Sequence, residues 1–167
     1  ETGEPVKGFG EFYPPYNTIR DKYFNNMDWY LQPYGENILA VNAHHAELNI
    51  YNTEGELLRK INFPCLEKSF QSIKESEMSK ISYPTPEGFA LICISDISVE
   101  REKLFLLLTR SPENPGEVGI NNILVIDLNT AGITHNLKLP GQMYFGIAVK
   151  NNLLTAYNYS DAQFEFF

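Results

Sequence analysis

The stretch Ile50 to Pro64 returns as Ile126 to Pro140, at the same length: an apolar run, a turn with glycine, a second strand-like run and a closing proline. The turn glycine is Gly55 in the first copy and falls one place later, at Gly132, in the second. Upstream of the first copy, Ile38-Leu39-Ala40-Val41-Asn42 and Leu48-Asn49-Ile50-Tyr51 flank a break at His44-His45, so the unit is a meander of short strands. Leu48 and Ile50 alternate with Glu47 and Asn49, which predicts an antiparallel strand buried on one face. Gly55 supplies the positive φ that a hairpin turn needs. A third copy opens at Gln142, with Tyr144 to Val149 followed by Asn151 to Tyr157, and its Ala162–Phe167 echoes Ala46–Tyr51.

Antiparallel four-stranded units recurring every ~40 to 50 residues mark a β-propeller, because each sheet can bury its two faces only against neighbouring blades. The expected fold is therefore all-β: a partial β-propeller of about three four-stranded blades, the last incomplete, with one short inserted helix. The blades are drawn at 23–64, with Met27 to Tyr34 as inner strand, at 65–140, and at 141–167, which lacks its outer strand. Residues 1–22 form an extended N-terminal segment, and Glu1-Thr2-Gly3 reads as a processed or engineered start, such as a secretion-vector remnant. Insertions lengthen the second blade. Leu66, Phe70, Ile73 and Met78 are spaced for a short amphipathic helix over 66–79, with an irregular connection as the alternative, and the Pro- and Gly-rich 111–119 is a long turn.

Charge and composition exclude several classes. With 13 Lys and Arg against 21 Asp and Glu the net charge is -8, which repels nucleic acid and anionic membrane surfaces. No apolar run, Leu104 to Leu108 included, approaches the ~20 residues that span a bilayer as a helix. Cys65 and Cys93 are too few for a disulfide framework and fit no zinc spacing; Cys93, in an apolar run, reads as a buried thiol, though one disulfide stays open. Asn158-Tyr159-Ser160 fits the glycosylation acceptor pattern, which matters only in a eukaryotic secretory pathway.

Catalytic constellations are missing from the sequence. There is no G-x-S-x-G elbow, and His44-His45-Ala46-Glu47 lacks the spacing that sets two imidazoles on one helix face. Asp127-Leu128-Asn129-Thr130-Ala131-Gly132 opens like a calcium loop, then fails at Ala131 and Lys138, so it reads as a hairpin turn. Glu100-Arg101-Glu102-Lys103 reads as a solvated turn of cancelling charges. Trp29, Tyr30 and Tyr34 fall on one inner strand and Tyr157 and Tyr159 end another, placing them near an axial channel or between blades.

Gly10-Glu11-Phe12-Tyr13-Pro14, Ile50 to Leu57 and Asn122 to Asp127 before Gly132 together resemble the six-bladed β-propellers of the TolB-like and NHL-like kind, abundant as secreted or lipid-anchored proteins of Bacteroidetes. The resemblance implies a full ring of roughly twice this length, hence a fragment, an engineered piece, or an oligomer that completes the ring. An incomplete blade leaves a strand edge and an apolar face open, so either Pro5 to Tyr13 pairs with it or two chains associate edge to edge. The expected function is a non-catalytic binding or scaffold module for a protein or glycan, secreted, periplasmic or at the cell surface. Its weak binding candidates are His44, His45, Trp29 and Tyr157; no catalytic residue, metal or cofactor is assigned. The alternative that the resemblance offers is a metal-dependent lactonase or lyase, for which Asp96, Asn121, Asp127 and His44 are the raw material.

Overall fold

The structure is a computed structural model that describes residues 29–43, 45, 47–63, 66–67, 70, 93–111 and 118–167. Its strands form three antiparallel sheets, each a simple meander in chain order. The first comprises β1 (Trp29–Tyr34), β2 (Asn37–Asn42), β3 (Glu47–Tyr51) and β4 (Leu57–Asn62). The second comprises β5 (Ile94–Glu100), β6 (Lys103–Arg110), β7 (Val118–Asp127) and β8 (Gly132–Lys138). Among the described residues the third has only three strands, β9 (Tyr144–Lys150), β10 (Leu153–Asn158) and β11 (Gln163–Phe166).

The second sheet is packed on both faces. Leu104, Leu106, Leu108, Leu124 and Ile126 join Leu39, Val41, Leu48 and Ile50 of the first sheet in one core. The alternate residues Leu107, Ile123 and Val125 join Ile147, Leu154 and Ala156 of the third sheet in another. Successive side chains of a strand point to opposite faces, so a strand covered on both sides must be apolar throughout, which explains the run Leu104 to Leu108. Burying one such leucine contributes about 1.5–3 kcal/mol.

The first strands of the sheets lie side by side, β1 beside β5 and β5 beside β9. Stacked four-stranded meanders with their first strands innermost are consecutive blades of a β-propeller, and the fold is all-β as expected, with its last sheet one strand short. Leu66, Glu67 and Phe70 are helical, with Leu66 and Phe70 buried in the first core; 71–79, 112–117 and the N-terminal segment with Pro5 to Tyr13 lie outside the described residues.

Two local expectations need correction. All five residues of β3 are buried, so Glu47 and Asn49 do not face solvent. Glu47 is held by Lys60 Nζ at 2.6 Å and accepts a hydrogen bond from Asn49 Nδ2, so its charge is paired. The one-place offset of the turn glycine is also resolved. Gly55 has φ 80°, and the residue at the matching place in the second copy is Ala131, with φ 57°; Gly132 already begins β8. Backbone geometry repeats in register, and the second copy tolerates an alanine in the left-handed region where the first has glycine.

Candidate interaction surface

Blade contacts are made by polar side chains on the inner strands. β5 alternates Asp96, Ser98 and Glu100 toward β9, whose free edge donates to them in turn. The Ile147 N–H reaches Asp96 Oδ2 at 2.8 Å and the Val149 N–H reaches Ser98 Oγ at 2.9 Å. Glu100 accepts from the N–H groups of Asn151 and Asn152 in the β9–β10 turn. Burial pushes the Asp96 carboxyl up from the ordinary carboxylate range, against the pull of the Ile147 and Ile97 N–H groups. At the first junction tyrosines make the crossing. Tyr30 OH donates to the Ser95 carbonyl at 2.6 Å, and Tyr34 OH donates to Glu102. Burial first, then the Glu102 hydrogen bond, pushes the Tyr34 hydroxyl up to about 12, so it keeps its proton.

The charged β5–β6 turn is therefore more than a solvated connection: Glu100 and Glu102 each fasten a neighbouring blade. Sequence reasoning misses this because the partners are backbone N–H groups and a tyrosine on strands far away in the chain. The one available signal is the alternation of Asp96, Ser98 and Glu100 with apolar residues.

The third sheet has one packed face and one open face. Ile147, Val149, Leu154 and Ala156 face the second sheet. Strand register puts Ala148, Leu153, Thr155, Tyr157, Phe164 and Phe166 on the opposite face. Phe164 and Phe166 are each 65% exposed and Leu153 48%. Tyr157 and Phe164 stack at a ring-centroid distance of 5.2 Å, and a second pair, Phe145 and Tyr159, stacks at 4.7 Å beside the β-bulge of β9. The polar groups of this face are the Tyr157 hydroxyl, Thr155 and, at the turn end, Lys150, which pairs with Leu153. A contiguous apolar face of this kind marks an interaction surface.

A polar knot closes one end of the sheet. Buried Tyr144 donates to Glu165 Oε2 at 2.7 Å and accepts from the Gly141 N–H at 3.0 Å. Asn158 Nδ2 donates to Asp161 at 2.9 Å and Glu165 at 2.8 Å. The Tyr144 hydrogen bond, followed by that of Asn158, holds the Glu165 carboxyl below the ordinary range. Asn158 is 2% exposed, so in the folded chain the nitrogen that a glycan would modify is committed to these bonds.

The residues singled out in the sequence do not converge. Trp29 is half-buried on β1, in the first sheet, while Tyr157 is on β10, the middle strand of the third, rather than on an inner strand. His45 is half-buried between β2 and β3, and His44 lies outside the described residues. Asn121 Nδ2 donates to the Gly141 carbonyl at 2.7 Å, and Asp127 caps its own turn by accepting from the Asn129 and Thr130 N–H groups. These two are six places apart on β7, about 20 Å along the strand. Asp96 is engaged at the blade junction. Among the described residues no group of three or more His, Cys, Asp or Glu is placed to hold a metal ion, and no helix is long and apolar enough to cross a membrane. Cys93 is a fully buried thiol.

No protein-family model matches the chain, and no curated protein matches it. Solved structures similar to it include the computationally designed Ika4 protein, with TM-score 0.45 and 10% identity over 82% of this chain and 62% of that one. The β-propeller domain of Cps50 (Swd1) from Myceliophteria thermophila has TM-score 0.44 and 11% identity over 83% of this chain and 33% of that one. Glutaminyl cyclase from Myxococcus xanthus has TM-score 0.44 and 11% identity over 77% and 49%. The chain thus spans less than two thirds of the length of each of these. At such distance the likenesses add nothing to the architecture argued from the sheets, which defines the class: a run of consecutive β-propeller blades.

Proposed function

We propose that the chain is a non-catalytic binding or scaffold module, secreted, periplasmic or at the cell surface, belonging to a six-bladed propeller of the TolB-like or NHL-like kind. One observation carries the reading: the open face of the third sheet presents Leu153, Phe164 and Phe166 with Thr155, Tyr157 and Lys150 among them, while Asp96, Asn121 and Asp127 are engaged with backbone N–H and carbonyl groups. A glycan presents many hydroxyls that need partners beside the aromatic ring, and this face offers only Thr155, the Tyr157 hydroxyl and Lys150, so its chemistry favours a protein ligand.

Elemental analysis of the purified chain with lactone-hydrolysis and lyase assays tests the non-catalytic reading. The expected result is no stoichiometric metal and no turnover; stoichiometric calcium or zinc with turnover overturns it in favour of the metal-dependent enzyme. A glycan array stays blank on the same reading, and a saccharide signal abolished by Phe164→Ser would make the ligand a glycan.

A further inference from the structure

We infer that Asn158 accepts an N-linked glycan only in a chain whose third sheet has not yet folded, because the polar knot of that sheet and a sugar on Asn158 Nδ2 exclude one another. The inference concerns the acceptor triplet Asn158-Tyr159-Ser160 and is independent of what the module binds.

Two of the three acceptor residues are open to an enzyme. Tyr159 is 56% exposed and Ser160 is exposed as well, whereas Asn158, which would take the sugar, is buried. Its partners settle which way its amide points. Oδ1 accepts from the Ser160 N–H at 3.0 Å, and a backbone N–H can only donate. Nδ2 carries two hydrogens, and both are committed, one to Asp161 Oδ2 and the other to Glu165 Oε1.

Glycan transfer breaks the bond between sugar C1 and the diphosphate of a lipid-linked oligosaccharide, forms a C1–Nδ2 bond and releases one Nδ2 proton. The modified nitrogen keeps a single hydrogen, so one of the two carboxylates loses its donor. Space is wanting too. A methyl carbon built on Gly141 would lie 2.9 Å from Nδ2, closer than non-bonded carbon and nitrogen approach, so Gly141 already closes that side of the amide. Nor is the triplet free to swing outward, since the Tyr159 N–H donates to the Met143 carbonyl at 2.9 Å.

The knot is completed from β11. Glu165, 7 places beyond Asn158, holds the amide with one carboxylate oxygen and the Tyr144 hydroxyl with the other, so β9, β10 and β11 must all be in place before the site shuts. Until then nothing shields Nδ2, and a sugar attached at that stage keeps the knot from closing. Occupancy at Asn158 therefore reports on the folding of the third sheet.

The test offers the purified full chain to a eukaryotic oligosaccharyltransferase with a lipid-linked oligosaccharide, reads the mass of the peptide that contains Asn158, and follows each variant's fold by circular dichroism. Folded wild type is expected to stay unmodified. Gly141→Ala forces the knot to shift and raises transfer by about fivefold to a hundredfold through a larger open fraction. Glu165→Ala removes a partner of both Asn158 and Tyr144 and acts in the same direction. Ser160→Ala added to the Gly141→Ala chain abolishes transfer, which identifies Asn158 as the modified residue. The glycan-bearing chain loses amide-exchange protection over β9 to β11. Wild type modified as fast as the two variants, variants that stay unmodified, or a glycan-bearing chain as protected as the bare one overturns the inference.

Discussion

Asp96 separates two contributions at the blade junction: the acceptor it offers and the charge it carries. Its carboxylate accepts from the Ile147 N–H at 2.8 Å, and desolvation nevertheless holds its pKa above the ordinary range. The acceptor therefore stabilises the junction while the buried charge costs something. Asp96→Ala leaves the Ile147 and Ile97 N–H groups without that partner, at about 1–3 kcal/mol, and lowers Tm by about 3–10 °C for a chain of this size. Asp96→Asn keeps an amide oxygen in the same place without the charge, so at pH 7 it is expected to equal or exceed wild type. The pH dependence has a definite sign. An acid whose folded pKa lies above its unfolded value stabilises below the unfolded pKa, near 4, and loses that contribution as pH rises through the folded pKa. The advantage of Asp96→Asn over wild type should accordingly appear as pH climbs above about 4 and fade below it. Calorimetry of the three proteins from pH 3.5 to pH 8 (a range of about 4 units around that value), at one protein concentration so that association is held constant, reads the effect. If Asp96→Asn proved as damaging at pH 7 as Asp96→Ala, the charge rather than the acceptor would hold the junction and the reasoning would fail.

Two further substitutions probe the second junction and the knot beside it. Leu107→Ala removes a fully buried side chain between the second and third sheets and should cost about 2–5 kcal/mol in chemical denaturation; Phe164→Ser on the open face should leave the stability of the isolated chain within ~0.5 kcal/mol. Gly141→Ala places a methyl 2.7 Å from Tyr144 Oη and 2.9 Å from Asn158 Nδ2, so the knot must shift, at about 1–3 kcal/mol, with faster amide exchange over β9 to β11 as the local readout.

Much of the fold is legible because burial on two faces writes itself into composition. Leu104 to Leu108 is apolar at each position, and Ile50 to Pro64 and Ile126 to Pro140 match in length because the same hairpin recurs. The turn offset misleads because glycine is not obligatory at φ 57°: Ala131 occupies the place that a glycine-based alignment assigns to Gly132. Glu47 and Asn49 mislead for a different reason. Alternation identifies which residues share a face, but a polar face can be buried once its groups find one another, as Glu47 does with Lys60 and Asn49. Of the candidate surface, Tyr157 is singled out in the sequence but lies on β10 rather than on an inner strand, and Phe164 and Phe166 pass unnoticed, since an aromatic side chain reads the same whether a neighbouring blade covers it or not.

The inner strands show why the repeat is strong in its apolar positions and faint elsewhere. Ile97 and Ile147 occupy matching places, as do Val99 and Val149, because each fills the wedge toward the preceding sheet; Leu31 and Pro33 hold the same places on β1 and are exposed. The intervening places face the following blade and meet a different partner at each of the two junctions: tyrosine hydroxyls reaching carbonyls and a carboxylate at the first, then carboxylates and a hydroxyl receiving N–H groups at the second. If the two sets were the same, any blade could stack on any other with little loss. Because they differ, an out-of-order pairing would bury Asp96 without an N–H donor or oppose like charges, penalties of several kcal/mol against contacts otherwise alike in apolar area. The apolar places thus make the blades stack, and the polar places between them decide the order in which they do so.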